Sequence, residues 1–361
     1  MSDATSGSLP FRAMEATERD LVAFRDAFEA NGFPRPLEQL RWQYLDHPGE
    51  RLLVDFAVDP RDDGERVAGI YAALPFLMDA GGEARVGGQA LDVLTDSGYR
   101  GRGLFTGLAR SLYARCGESG LALIYGFPNA NTANGYWTRL DWTRLDPVPF
   151  LIKPLRSRYV LQRIPGVRAL AGLLPDLPLP RPAAPRLPAG WQLRPVAAFD
   201  DRFDGLWAAF ARTVGIAVRR DRRYLAWRYG SKPLEDYRTQ GLFQGERLLG
   251  FVTYCVKPKH GGMVGYLMEL IPHPDFAEAG EILARAAVRD VASRGADVIL
   301  AWNFEHSPTH AAHRGAGFFP FPEWARPIEL HFGALALDPA VRPLVTERRS
   351  WYISYSDSDT V

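Results

Sequence analysis

The stretch LDVLTDSGYRGRGLFTGLARSLYARC, residues 91–116, runs from an apolar segment through two glycines that flank an arginine into an amphipathic pattern. Leucines recur every four residues over 104–112, which predicts a helix with one apolar face after Gly103. Unpaired amides at a helix start carry partial positive charge, and small glycines let the oxygens of an anion approach the backbone. Arg100 and Arg102 add full positive charges beside it. The stretch therefore predicts an anion site where a strand is followed by a helix.

The composition limits the kind of protein this can be. At 361 residues the chain exceeds what one hydrophobic core usually organises, so we expect two domains. Lys and Arg total 43 against 42 Asp and Glu, and this balance does not favour a nucleic-acid-binding protein. The two cysteines, Cys116 and Cys255, fall in segments with helical and strand patterns, so neither a disulfide nor a thiolate metal site is predicted.

The sequence also bears on where the protein acts. Its N-terminus has no basic segment followed by an apolar one, and no window of 18 apolar residues occurs along the chain. These features predict a cytoplasmic protein with no stable insertion into a membrane. The oligomeric state is left open.

A short motif occurs on both sides of a proline-rich segment. LEQLRWQYLDHP, residues 37–48, and RRYLAWRYGSKP, residues 222–233, share the pattern W-x-Y-x3-P. The order of predicted strands and helices after each copy also agrees. The predicted fold class is therefore α+β, with two similar domains, each a mostly antiparallel sheet flanked by helices. We expect the first domain over 1–155, an apolar and Pro-rich linker over 156–189, and the second domain over 190–361.

The loop YRGRGLF, residues 99–105, resembles the coenzyme A loop of the GNAT superfamily of acyl-CoA-dependent N-acyltransferases, whose pattern is R/Q-x-x-G-x-G/A. Phe105 stands where that family usually has Gly or Ala. The later segment GFPNANTANGYWTRLDW, residues 126–142, resembles the asparagine-bearing turn, short helix and leucine-glycine-aromatic close of the same family. The resemblance covers roughly residues 10–150 and 190–335 and implies a tandem GNAT protein.

The resemblance implies that an acyl-CoA, most simply acetyl-CoA, is the co-substrate and that a primary amine of a small molecule accepts the acyl group. The candidate positions for binding coenzyme A are Leu94, Thr95, Arg100, Gly101, Arg102, Gly103, Leu104, Thr106 and Asn129. Thr106 is a candidate because its hydroxyl lies in the first helical turn, where it would meet a phosphate oxygen, although such threonines often only cap the helix or face solvent. Strand backbone around Leu94 and Thr95 would meet the pantetheine and the acyl carbonyl. The glycine loop would meet the pyrophosphate.

Acyl transfer to an amine needs groups that accept and donate protons. Asp92, on the strand before the loop, is the candidate proton acceptor and Asp96 its alternative, although a strand carboxylate is often solvated or ion-paired. The acid position implied by the resemblance falls on Trp137, which places Tyr136 one residue away as the candidate acid. Tyr125 is the second candidate.

The second half has PHPDFAEAGEIL, residues 272–283, where the loop would be, and its carboxylates would repel a pyrophosphate. We expect a degenerate domain that does not bind coenzyme A and completes the acceptor site. The candidate acceptor-binding residues are Asn131, Glu269, Trp302, Asn303 and His306. His306, His310 and His313 are spaced for one helical face, but Pro308 breaks that helix, so no metal site is predicted.

A run of arginines suggests the class of acceptor. VRRDRRYLAWRY, residues 218–229, holds five arginines, which ordinarily form a solvated face but also pair bidentately with phosphates. A nucleotide-linked amino sugar would supply both an amine and phosphates, so amino sugars are the expected acceptors. Two alternatives stay open: an aminoacyl transferase of the Fem type, which takes its donor from tRNA, and a non-catalytic acyl-CoA sensor.

Overall fold

The computed structural model describes residues 9–62, 64–164, 166–167, 173–326 and 328–358, and these residues form two compact units. Unit 1 contains the described residues up to Met78 together with Glu83–Asp146 and His331–Glu347. Unit 2 contains Asp79–Gly82, the described part of Pro147–Leu330, and the described residues from Arg348 onward.

Helices and strands are mixed along the chain. The helices are α1 Glu18–Ala30, α2 Leu37–Tyr44, α3 Leu104–Glu118, α4 Ala130–Arg139, α5 Ser157–Leu161, α6 Asp201–Ala211, α7 Arg222–Leu225, α8 Ala277–Ser293, α9 His310–Gly315 and α10 Arg342–Val345. The strands are β1 Phe11–Ala13, β2 Leu53–Arg61, β3 Gly64–Ala80, β4 Glu83–Thr95, β5 Leu121–Gly126, β6 Thr143–Arg144, β7 Phe150–Pro154, β8 Trp191–Pro195, β9 Ile216–Val218, β10 Arg238–Gln244, β11 Arg247–Lys259, β12 Gly262–Pro272, β13 Val298–Trp302, β14 Phe319–Pro320 and β15 Gly333–Ala336. Within the described part of the chain, no helix is long and apolar enough to cross a membrane.

Unit 1 is built on a sheet with the strand order β1-β2-β3-β4-β5-β15-β6. β1 and β2 pair antiparallel, as do β2 and β3, whereas β4 and β5 are parallel and are joined by the crossover helix α3. Leu104, Leu108 and Leu112 are buried on the face of α3 that packs into the core. The amphipathic helix predicted after Gly103 is therefore confirmed.

Unit 2 repeats this arrangement with the strand order β14-β7-β13-β12-β11-β10-β8. β12 and β13 are parallel and are joined by α8, while β8, β10, β11 and β12 pair antiparallel in turn. The apolar face of α8, including Leu283, Val288 and Val291, packs into the core of this unit. Both units are thus mixed sheets flanked by helices, and the predicted α+β fold class is confirmed.

Each sheet contains a strand from the part of the chain that was expected to form the other domain. β7 pairs with β13 of unit 2, and β15 pairs antiparallel with β5 and β6 of unit 1. The chain therefore enters unit 2 at Pro147 and returns to unit 1 at His331, which differs from the boundaries expected at 155 and 190. Strands this short depend on non-local partners for their stability, so their sequences do not reveal which sheet they join.

The proline-rich segment packs within unit 2 and is not a free linker. The Leu179 N–H donates 2.8 Å to the carbonyl of Leu155, and the Lys153 ammonium donates 2.9 Å to the carbonyl of Pro180. Part of the expected apolar linker, residues 165 and 168–172, lies outside the described residues.

Candidate functional site

The loop before α3 presents backbone amides to open space. Gly101 and Gly103 have φ of 78° and 77°, a left-handed conformation that glycine adopts without steric cost. Gly103 is the N-cap of α3 and makes no side-chain capping bond, so the first-turn amides lack intrahelical partners. A Cβ atom at either glycine would meet nothing within 4 Å. This arrangement suits the binding of an anion.

Charged side chains surround the loop. Arg100 and Arg102 are exposed, and the Arg102 guanidinium lies 5.1 Å from the ring centroid of buried Tyr99. The Tyr99 hydroxyl accepts a 2.8 Å bond from Arg61 and donates to Asp59. Tyr99 therefore anchors the loop to unit 1 while the two arginines stay at the surface. The side chain of Thr106 is half-buried on the first turn, and that of Leu104 is buried, so Leu104 offers the site only its backbone.

β4 and β5 stop pairing before β4 ends. Their ladder ends at the pair Ala90 and Gly126, whereas β4 continues to Thr95. At that last pair a Cβ atom on Gly126 would lie 2.9 Å from the Ala90 carbonyl oxygen, so a glycine is needed there. Leu94 and Thr95, predicted to present backbone to a ligand, lie on the part of β4 beyond the ladder. The strand edge and the loop thus follow one another along a single segment.

Asp92 lies at a left-handed position of β4, with φ of 48°. Its side chain, 4% exposed, is ion-paired with Arg35 and accepts 2.7 Å hydrogen bonds from Gln43 and from the Tyr44 hydroxyl. Burial and the nearby carboxylate raise the pKa of Tyr44 well above its ordinary value, so Tyr44 stays protonated and donates. These contacts indicate that Asp92 anchors α2, which carries the first W-x-Y motif. Its role as a proton acceptor stays a prediction.

Tyr136 lies at the end of a chain of buried hydroxyls. The Trp142 indole donates 3.0 Å to the Tyr113 hydroxyl, which is 2.6 Å from the Tyr71 hydroxyl. Tyr71 in turn donates 3.0 Å to Tyr136. A phenol has one proton to donate, so Tyr113 must donate to Tyr71, and the chain leads from Trp142 to Tyr136. Burial raises the pKa of Tyr71 and of Tyr113 well above the ordinary value, which keeps both hydroxyls protonated.

The contacts of Phe105 explain why the loop tolerates this residue where the usual pattern has Gly or Ala. Its ring meets that of Tyr136 edge-on at a centroid distance of 5.4 Å. A Cβ atom on Gly135 would lie 2.7 Å from the Phe105 ring, so Gly135 makes room for it. Phe105 therefore packs inward, against α4. Tyr125, the second candidate acid, is 1% exposed on β5.

The asparagines after β5 mainly form the start of α4. The Asn129 side chain is the N-cap and accepts bonds from the Asn131 and Thr132 amides at 3.0 and 3.2 Å. Asn131 is exposed on the first turn. The structure gives Asn129 a capping role, and its predicted contact with the cofactor stays a prediction.

Glu269 does not face an open site, which corrects the expectation that it binds the acceptor. It is 0% exposed, and its carboxylate is 2.6 Å from the Arg220 guanidinium. It also accepts bonds from the Tyr352 and Ser354 hydroxyls at 2.6 and 2.9 Å. A carboxylate on a strand has the same sequence pattern whether it is solvated or paired with a distant arginine, so the sequence did not reveal this burial.

Trp302 is likewise a core residue, and this also corrects an expectation. It is 2% exposed and its ring stacks on Tyr355 at a centroid distance of 4.6 Å. Asn303 is buried and donates 2.6 Å to the Thr309 hydroxyl, while exposed His306 donates 3.1 Å to a backbone carbonyl. Among the described residues, no group of three or more His, Cys, Asp or Glu could hold a metal ion.

The arginine run is largely committed to contacts inside unit 2. Arg220 and Arg228 are 0% and 3% exposed, and Arg219 pairs with Asp79 through bonds of 2.7 and 3.1 Å. Arg222 and Arg223 remain exposed. The run is therefore divided between buried and exposed arginines, and its capture of phosphates stays a prediction. In unit 2 the helix that corresponds to α3 is the crossover helix α8. It begins directly after Phe276, whose ring packs on that of Trp191 at a centroid distance of 5.7 Å.

The sequence of unit 1 matches a known family. Residues 13–144 match the model of the acetyltransferase (GNAT) domain. These residues therefore belong to the GNAT superfamily of acyltransferases. No curated protein matches the sequence.

Solved structures share the fold of nearly the whole chain. Saccharomyces cerevisiae N-myristoyltransferase with bound myristoyl-CoA is 12% identical, with a TM-score of 0.58 over 91% of this chain and 83% of that one. A GCN5-related N-acetyltransferase from Anabaena variabilis is 12% identical, with a TM-score of 0.59 over 91% and 73%. A probable N-acyltransferase from Enterococcus faecalis is 13% identical, with a TM-score of 0.58 over 92% and 74%. At these identities the likeness shows the fold, with two GNAT-like halves.

Proposed function

We propose that the protein transfers an acyl group, most simply acetyl, from acyl-CoA to a primary amine. The observation that supports this most directly is the order of three features along the chain. β4 continues beyond its ladder with β5, and the glycine loop and the uncapped start of α3 follow at once. A thioester lying along that edge would meet backbone that is not paired with β5, and its pyrophosphate would meet the amides and positive charge of the loop. The GNAT family match over the same segment supports this proposal.

The reaction requires the protein to position the two substrates and to provide for two proton transfers. The amine must lie near the thioester carbonyl and lose a proton, and the leaving thiolate must gain one. Tyr136 is the proposed acid, because its hydroxyl accepts a hydrogen bond from Tyr71, and such a bond stabilises the anion that forms when Tyr136 gives up its proton. Asp92 remains the proposed proton acceptor, although its contacts with Arg35 and α2 favour an anchoring role.

The proposal also specifies a class of acceptor and a length for the acyl chain. An amino sugar remains the acceptor class to test first, although the arginines that suggested phosphates on it are mostly buried or paired. Acetyl is the simplest acyl group, and the fold shared with an N-myristoyltransferase makes a long chain the natural comparison. The cytoplasmic location stays a prediction.

Release of the coenzyme A thiol tests the proposal directly. The full chain would be mixed with acetyl-CoA or myristoyl-CoA and with glucosamine, a polyamine or a peptide with a free N-terminus. Thiol release that depends on an amine, with the acylated amine found by mass spectrometry, is the expected result. Binding of coenzyme A without turnover would favour the sensor, and transfer only from charged tRNA would favour the Fem-type enzyme.

A further inference from the structure

A pocket of about 670 Å³ opens in unit 2 at the carboxyl end of β13. Its volume lies in the range typical of sites for small molecules. Part of its lining is apolar and comes from Pro147–Leu151, Phe304 and Pro320. The sequence drew attention to Asn303 and His306 here but not to the other polar residues of the pocket.

The charged lining of this pocket is mostly positive. Arg326, Arg348 and Arg349 all contribute to it, and of the described residues that line it only Glu305 carries a negative charge. The Arg326 guanidinium lies 5.0 Å from the ring centroid of Phe150. The Arg348 guanidinium lies 4.3 Å from that of Phe304. Stacking on these rings places two cations along apolar walls, an arrangement that suits a ligand with both an anionic group and an apolar body.

A buried carbonyl oxygen in the lining has no partner. Asn303 is 2% exposed, and its amide nitrogen donates to Ser307 at 3.1 Å and to Thr309 at 2.6 Å. Among the described residues, its Oδ1 atom has no hydrogen-bond partner. A buried polar atom without a partner is costly, so a donor supplied by a ligand would be favourable.

We propose that this pocket binds a small organic anion that has an apolar body and an N–H donor next to its anionic group. The arginines would hold the anionic oxygens, the rings and prolines would cover the apolar body, and Asn303 Oδ1 would accept from the N–H. N-acylated amino acids have this combination of groups. The pocket lies within unit 2, and the inference does not depend on acyl transfer.

Three related compounds test each element of this ligand. N-acetylphenylalanine has the carboxylate, the ring and the N–H donor. N-acetylphenylalanine amide lacks the charge, and 3-phenylpropionate lacks the N–H group. In calorimetric or NMR titrations of the full chain, we expect the first compound to bind about tenfold or more tightly than either of the others, the factor set by one lost buried hydrogen bond or charge contact. Equal affinities for the three compounds, or no binding of the first, would overturn the proposal.

Variants place the binding in this pocket. Asn303→Asp keeps partners for the hydroxyls of Ser307 and Thr309 but adds a negative charge, and Arg348→Gln removes a positive one. Both should weaken the binding of N-acetylphenylalanine about tenfold or more. Arg194→Gln, at a half-buried arginine outside the lining, should leave the affinity unchanged and serves as the control. If Asn303→Asp does not fold, Arg348→Gln decides alone, and an unchanged affinity in that variant overturns the assignment.

Discussion

The Tyr71 hydroxyl donates a 3.0 Å hydrogen bond to the Tyr136 hydroxyl. Tyr71 itself receives a bond from Tyr113, which receives one from the Trp142 indole, so every donor in the chain points toward Tyr136. Hydrogen bonds in such chains polarise one another. A donor aimed at the Tyr136 oxygen stabilises the anion that forms when Tyr136 gives up its proton.

The first prediction concerns the proton donor. Tyr136→Phe should lower kcat by ~10²-fold or more with little change in KM for acyl-CoA, because it removes only a transition-state proton transfer. Tyr71→Phe should lower kcat less, about tenfold, since it removes a supporting bond. Steady-state rates of thiol release measure both effects. Tyr125→Phe tests the second candidate acid and should keep normal rates if Tyr136 is the donor. Normal rates in Tyr136→Phe would remove Tyr136 from the mechanism.

The second prediction concerns the glycine loop. Gly103→Glu should abolish coenzyme A binding, because it adds bulk and negative charge at the uncapped start of α3. Calorimetric titration is the measurement, and the unaltered chain should bind one coenzyme A. Gly120→Glu is a matched control, since Gly120 has φ of 78° and equally open surroundings but follows the far end of α3. Equal affinities in the two variants, or two molecules bound per chain, would count against the loop assignment.

The third prediction separates the two roles open to Asp92. If it anchors α2, Asp92→Ala and Arg35→Ala should each lower the free energy of unfolding by about 3 kcal/mol, because each leaves a partly buried charge without its partner. The double variant should lose less than the sum of the two. Urea denaturation measures these changes. An Asp92→Asn variant with full stability but ~10²-fold slower turnover would instead support the proton-acceptor role.

The fourth prediction concerns pH. Burial lowers the pKa of His313 to about 4, because a charged ring would be a buried cation whose Nε2 atom has no partner among the described residues. The hydrogen bond from Nδ1–H to the Thr309 carbonyl opposes this shift but does not cancel it. The unfolded chain, with an ordinary pKa near 6.5, binds more protons than the folded one between these values. The stability that neutral His313 provides is therefore present above pH 6.5 and lost as the pH falls toward 4.

Denaturation at two pH values measures this effect. His313 should account for a loss of about 2 kcal/mol between pH 7.5 and pH 5. His313→Asn, which keeps a donor for the Thr309 carbonyl but does not titrate, should lose that much less over the same interval, whatever its stability at pH 7.5. An identical pH dependence in both proteins would show that His313 does not contribute.

The sequence predicted those features that depend on neighbouring residues. The spacing of Leu104, Leu108 and Leu112 predicts α3, and the glycines before it predict a left-handed loop, because both follow from local geometry. The partners of buried charges could not be predicted in this way. Arg35 lies 57 positions from Asp92, and Arg220 lies 49 positions from Glu269. Only the folded chain brings such residues together, and it turned the expected acceptor residue Glu269 into a core residue.

The placement of β15 between β5 and β6 has a consequence for how the protein is made. During synthesis the first sheet cannot be completed when its own half has left the ribosome, because an internal strand has not yet been translated. Until residues 333–336 emerge, β5 has an unpaired edge, which is a site for aggregation. A fragment that ends in the proline-rich segment would keep that edge permanently. Expression of the GNAT domain by itself therefore requires that residues 331–347 be supplied, either by fusion after residue 146 or as a second chain.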